Sequence, residues 1–393
     1  MIDKKRQSRT EEWFSPSRDC PSHQALFHSL SRRVSAAGPI TFAEFMGTVL
    51  YHPQYGYYRS GHDQVGLRGD YYTSVSVHPL FGACLADQLG EMWQLVGSPP
   101  RFAVVEGGAG AGRLACQILD ALQADWPELW RACHYWLVEV AEPTPTIRRT
   151  LETRVAEPDR LRFFTRLCDI PGPVAGCVLS NELMDALPVH RVCLRGGRLR
   201  ELYVGLRAGR LVWIEGQPST AELERYFEEQ GIRLAEGQEA EVNLEARGWI
   251  EQASAALALG FVVTLDYGYE ALDLYGPRFP KGTLVGYRRH QVQEDPFAAL
   301  GCQDLTAHVN FTALKRWGEA TGLQLTGYTS QSRFLLSLGI LDKLAKANQA
   351  SQIAGYQDAV AAKQLIVPGG MGEIFKVLVQ HKGVTSPRLR GLQ

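Results

Sequence analysis

The sequence predicts an α/β fold, a mostly parallel sheet with helices on both faces, and three features predict it. Short apolar runs such as Ala103–Val105 and His134–Val140 have the look of buried parallel strands, and stretches with helical spacing such as Arg113–Leu122 follow them. Between the first run and its helix lie Gly107, Gly108, Gly110 and Gly112, a strand-to-helix turn that lets backbone approach a ligand and aims helix N-terminal amides at it. Other apolar runs also end in polar loops, at Glu139, at Asn181-Glu182 and at Asp266, which is the carboxyl edge where open α/β sheets bind ligands.

In chain order, residues 1 to about 35 read as a polar arm leading into a helix near Gln24–Val34. Thr41, with Glu44 three positions on, forms a capping box that opens a short amphipathic helix. A tyrosine-rich loop follows, with Tyr51, Tyr55, Tyr57 and Tyr58, then Gly69–Ser74; it reads either as a lid or as a packed surface loop. Pro79–Val96 is an amphipathic helix leading to the central strand. Further strands are expected before Cys168, at Val174–Leu179, Gly260–Leu265, Leu323–Thr329 and Glu373–Gln380.

Alternation across Gly196-Gly197 and Ala208-Gly209 marks antiparallel hairpins, followed by helices at Glu222–Gly231 and Leu244–Leu259. Asp304–Leu314 is expected to open a helix that runs through Gly318. The expected organisation is thus an N-terminal arm, lid loop and helices over 1–95, and a cofactor-binding domain over 96–393 with an insertion at about 190–255.

The 393 residues, 45% hydrophobic and 21% charged, are ordinary for a folded chain with room for a large core. A net charge of -1 gives no overall pull toward nucleic acid or an anionic membrane, and no apolar run approaches the roughly 20 residues needed to span a bilayer. The N-terminus lacks the apolar stretch of a secretory signal. Eight scattered cysteines without a CxxC pair read as reduced, mostly buried thiols, with no zinc or other metal site and a cytoplasmic location. The chain is compatible with a homodimer.

The glycine turn has two readings. Glu106-x-Gly108-x-Gly110-x-Gly112 fits the first motif of S-adenosylmethionine methyltransferases, with the acid near the methionine ammonium. Gly110-x-Gly112-x-x-Ala115 satisfies the looser dinucleotide pattern. An acid suits a cationic ligand better than a pyrophosphate. Glu139 lies about 30 residues past the glycines, against about 20 in dinucleotide folds. Glu139 is placed to accept ribose hydroxyls, and Asp169 stands where methyltransferases often contact adenine.

The motifs EGGAGAGRL, SNELMDALPVHR, LDYGY, DLTAHVNF and MGEIFKVL, in that order, resemble the MidA family of class I S-adenosylmethionine-dependent methyltransferases, from about Ile40 to Val379. That resemblance implies a seven-stranded Rossmann-like sheet, S-adenosylmethionine as cofactor, and an acceptor arginine on a protein substrate, as in the family's mitochondrial complex I assembly factor. Departures from the family pattern fall at Gly107 and Ala109, which leave Gly108, Gly110 and Gly112 in place, and at Val75-Ser76 and Asn310, positions expected in the pocket or lid.

Methyl transfer to nitrogen demands alignment rather than a metal. For a guanidinium acceptor, two carboxylates that fork onto two nitrogens localise charge away from the third. Glu182 and Asp185 supply such a pair, Asn181 an orienting amide, and His308 a proton acceptor near neutrality. The plainer readings are that Asn181 and Asp185 cap a turn and that His308 bonds backbone. Small-molecule methylation, and a cofactor-binding assembly factor without turnover, remain the alternative functions.

Overall fold

The computed structural model describes residues 20–59, 74–155, 157–350, 363–367 and 371–393. Seven strands make the path of the main sheet: β1 (Phe102–Gly107), β2 (Cys133–Val138), β3 (Leu161–Phe164), β4 (Val174–Asn181), β5 (Leu257–Tyr269), β6 (Gln324–Ser330) and β7 (Phe375–Lys382). Their spatial order is β6-β7-β5-β4-β1-β2-β3. Strands β1 to β5 are mutually parallel, and β7 is antiparallel to both β5 and β6. The sheet counts eight strands rather than the expected seven, because Val309–Asn310 pairs in parallel with the end of β5.

Both faces of this sheet are covered, which is why its strands read as continuous apolar runs rather than alternating ones. Val104 packs on one side with Phe81, Met92 and Ile118, and Val105 on the other with Ile250 and Leu314. The helix Leu80–Leu95 lies on the first side and Phe311–Ala320 on the second.

A second sheet of five strands holds the expected hairpins: His190–Arg195, Arg198–Arg207 and Arg210–Gly216, with Glu239–Val242 on one flank. On the other flank Ile40 pairs with Val204, so the N-terminal segment is built into this sheet. The helices Pro21–Ala37 and Phe42–Tyr51 pack on it through Leu26, Phe42 and Phe45, and Thr41 caps the second helix by accepting from Glu44 N–H at 3.1 Å. A three-stranded sheet, Gln291–Gln293, Val285–Arg288 and Asp304–Thr306, lies beside them.

Three expectations change. The helix expected to reach Leu259 stops at Ala256, because Leu257 already pairs with Val174 in the sheet. The helix expected from Asp304 starts at Phe311, where the Asn310 side chain accepts from Ala313 N–H at 3.1 Å; the preceding residues are extended and paired. The cysteines are not all free thiols: Cys20 and Cys302 are joined, with their Cα atoms 6.5 Å apart, while Cys84, Cys133, Cys177 and Cys193 are buried and free. A bond across 282 residues leaves no short spacing for a sequence to show. Residues 1–19 and most of the expected lid, from Ser60 to Thr73, lie outside the described residues. No helix among the described residues is long and apolar enough to cross a membrane.

Candidate active site

Register brings the glycine turn and the acidic turn together. Gly107 pairs with Ser180 and Leu265 with Asn181, so β1, β4 and β5 deliver their loops at one height. Gly108, Gly110 and Gly112 all have positive φ, a backbone state in which a side chain is strained. A Cβ on Gly108 would meet Leu183 of the acidic turn at 2.9 Å, whereas one on Gly110 would enter open space.

That space continues into a cleft of about 140 Å³ lined by Gly110, Leu137, Glu139, Ile147, Phe163 and Thr165, among others. Glu139 stands on its floor and accepts from Gly110 N–H at 2.9 Å. The lining of the cleft combines apolar side chains, Leu137, Ile147, Phe163 and Phe164, with the charged Glu139, Glu142 and Arg148. Glu106 is 3% exposed and accepts the Tyr135 hydroxyl at 2.6 Å; burial pushes its carboxyl up to about 8. It therefore acts from beneath the turn. Asp169 sits on the turn Leu167–Asp169 beside this cleft, its carboxylate forked by Arg166 at 2.7 and 3.2 Å and accepting from the Thr165 hydroxyl at 3.4 Å, while Phe163, Phe164 and Thr165 line the cleft itself. Gly107 is explained by Trp249, whose ring occupies the place a Cβ would need.

The acidic turn is stapled to β5. Glu182 has φ +52°, its N–H donates to Leu265 C=O at 2.9 Å, and the fully buried Asp266 accepts from the amides of Leu183, Met184, Asp185 and Tyr267 at 2.8 to 3.4 Å. Asp266, expected from sequence only at the ligand-binding edge, thus holds the turn. Its carboxyl is pushed up by burial and by the charges of Asp185 and Glu182.

The half-buried Glu182 accepts from Ser74 N–H at 2.9 Å and from the Asn181 amide at 3.2 Å. Burial, helped by Asp185 and Asp304, raises its carboxyl to about 8. Burial also raises Asp185, to about 6, against the opposing hydrogen bond of Tyr267. One Asp185 oxygen has no hydrogen-bond partner. Among the described residues no Lys or Arg stands against Glu182, Asp185 or Asp266. Buried carboxylates without a countercharge make a place for a cation.

His308 does not fit the role of a proton acceptor near neutrality. It is packed among Tyr267, Tyr269 and Phe279, and burial with the Arg278 charge lowers its pKa to about 4. Sequence shows the imidazole but not this desolvation. We expect His308→Gln to keep turnover within about threefold and its pH profile unmoved; an acidic-limb shift in initial rates would restore the histidine to the chemistry. Asn310, expected near the pocket, is instead a helix cap that donates to Tyr226 and Gln230. Val75 and Ser76 lie on the short helix Ser74–Val77, whose first amide meets Glu182.

Comparison with known proteins now bears on this arrangement. A family model of S-adenosyl-L-methionine-dependent methyltransferases matches residues 84–329. The chain belongs to this family. A Burkholderia thailandensis protein, described as a candidate methyl transferase and crystallised with S-adenosyl-homocysteine, is 32% identical, with TM-score 0.87 over 96% of this chain and 97% of that one. The human mitochondrial protein arginine methyltransferase NDUFAF7 is 28% identical over 92% of this chain and 85% of its own length; the Drosophila melanogaster homolog is 28% identical over 93% and 87%. The resemblance to the MidA family is thereby established, and the enzyme uses S-adenosylmethionine. The cytoplasmic location expected from the cysteines is overturned by these relatives, which are named as mitochondrial. Scattered cysteines report a redox poise and carry no address.

Proposed function

We propose that this enzyme methylates an arginine side chain of a protein, on a class I type of sheet, and that the uncompensated pair Glu182 and Asp185 carries the recognition. The reading draws support from the relatives named as protein arginine methyltransferases and from the acid pair set beside the glycine turn. S-adenosylmethionine supplies an electrophilic methyl on a sulfonium. Gly108, Gly110 and Gly112 would admit its methionine part, Glu106 would lie beneath the ammonium, whose charge favours the ionised form of a carboxyl that burial otherwise raises to about 8, and Glu139 would hold the ribose.

Glu182 and Asp185 fork two guanidinium nitrogens and leave the third directed at the methyl, with Asn181 orienting Glu182. With the methyl supplied by S-adenosylmethionine, Glu182 would take the proton that the acceptor nitrogen gives up, its raised carboxyl suiting it to hold a proton near neutrality. The N-terminal segment over 20–59, with the hairpin insertion, would form the unit that presents the protein substrate.

Forking requires ionised carboxylates, so protonated forms that accumulate below about 8 for Glu182 and about 6 for Asp185 lower the rate. We expect kcat/KM to rise with pH across that interval, measured by transfer of labelled methyl groups. The acceptor is found by the same label: lysate proteins treated with the enzyme, then hydrolysed, should yield methylarginine. Label confined to small metabolites would overturn the protein-arginine reading.

A further inference from the structure

Two donors hold Glu182, and both fall on the same oxygen. Ser74 N–H reaches Oε1 at 2.9 Å and the Asn181 amide reaches it at 3.2 Å, while no hydrogen bond from the described residues falls on Oε2. Ser74 opens the helix Ser74–Val77, whose four residues are too few to satisfy their own backbone, so partners outside it fix its place. The Ser74 hydroxyl donates to Gln331 Oε1 at 2.9 Å, and Gln331 Nε2 donates to Leu365 C=O at 3.3 Å. On the other side Gln117 Nε2 donates to Val75 C=O at 2.9 Å. Gln331 opens the helix Gln331–Ser337 that follows β6, and Gln117 lies on the helix Arg113–Asp125 that follows the glycine turn. The short helix is thus slung between two regular elements.

Ser74 and Gln331 are both fully buried. An amide at that depth is costly unless its two ends are paired, and an apolar side chain of similar size would fill the space without that demand. Both ends of Gln331 are paired, and one pair leads through Ser74 to the reacting edge. We propose that Gln331 is a positioning residue for methyl transfer: by holding Ser74 it fixes the amide that engages Oε1 of Glu182, and so sets Oε2 toward the acceptor nitrogen. This rests on the reading of Glu182 as the proton acceptor. The ionisable groups that face Glu182 are Asp185 on its own turn and Asp304 on the strand Asp304–Thr306, which raise its carboxyl, and Asp266 on β5, which Glu182 raises in turn. The Ser74 amide works against them by favouring the carboxylate, so loosening Ser74 pushes Glu182 further up.

The test uses the full chain carrying Gln331→Met, which keeps the size and removes both hydrogen bonds, or Ser74→Ala, which removes the hydroxyl and keeps the amide. Calorimetry with S-adenosylhomocysteine checks that each variant retains the parental cofactor affinity. Infrared difference spectra taken as the pH is raised follow the Glu182 carboxyl, whose band is the one missing from Glu182→Gln. In both variants its midpoint should lie at higher pH than in the parent, and the initial rate of labelled methyl transfer into lysate proteins should fall about tenfold. The double variant should be no slower than Gln331→Met alone, because both changes break one link; additive losses would overturn the proposal. A parental midpoint and rate also overturn it, and so does either change without the other, since a merely structural glutamine slows the enzyme without moving the midpoint. If Gln331→Met loses S-adenosylhomocysteine, Ser74→Ala decides by the same pair of readings, and loss of the ligand in both variants overturns the proposal. A slow Glu182→Gln beside unmoved midpoints leaves the proton-acceptor reading standing alone. A Glu182→Gln protein with the parental rate, or a parent that labels no lysate protein, overturns both.

Discussion

Glu182→Gln is expected to bind S-adenosylmethionine as tightly as the parent and to transfer methyl groups about 10²–10⁴-fold more slowly, the range set by loss of a positioned proton acceptor. The substitution keeps the hydrogen bonds that shape the turn, since the amide oxygen can still accept from Ser74 N–H and from Asn181. It removes the charge and the basic site. The groups proposed to hold the cofactor follow β1 and β2, across the edge, so on that reading calorimetric affinity for S-adenosylmethionine is unaffected while single-turnover transfer collapses. Relieving a raised carboxyl beside Asp185 should also leave the folded protein no less stable, so a melting curve matching the parent separates chemistry from folding. Full activity would remove Glu182 from the mechanism. A loss of cofactor binding to match the loss of rate would make it a structural residue.

The sheet was legible because its strands are buried on both faces: Val104-Val105 and Phe261–Leu265 read as apolar runs and fold as such. The hairpins were legible through Gly196-Gly197 and Ala208-Gly209, whose residues have the positive φ that tight turns need, Arg207–Arg210 closing the second. What sequence left out depends on distance along the chain. The entry of Ile40 into the insertion sheet, the hold of Tyr58 on Asp304 across 246 residues and the Cys20–Cys302 bond have no local pattern.

Environment was the other blind spot. Sequence supplied His308 and Asp266 as polar residues on a plausible edge; the ring of aromatics around the first and the amides converging on the second decide their chemistry. The same holds for Asp169, which Arg166 claims from three residues away. A short-range ion pair was readable there, but nothing in the sequence weighed it against a ligand. The family departures divide likewise: Gly107 is compensated by Trp249, an exchange of volume between a strand and a distant helix.

Gly110→Val should raise the dissociation constant for S-adenosylmethionine by at least about 100-fold, through two effects that act in the same place. The first is conformational: Gly110 has φ +49°, which a β-branched residue avoids, so the turn must relax. The second is spatial. Apart from Gly110 and its two neighbours, no described residue has an atom within 4 Å of where a Cβ would stand, so the added side chain projects into the open cleft proposed for the cofactor. Gly108→Ala separates the two, because its Cβ would press on Leu183 at 2.9 Å and disturb the acidic turn as well. Calorimetry should therefore find Gly110→Val defective in binding with its fold intact, and Gly108→Ala defective in both cofactor affinity and turnover. A folded Gly110→Val protein with parental affinity would show that the cofactor does not pass over this glycine, and would move the methyl donor away from the edge where Glu182 waits.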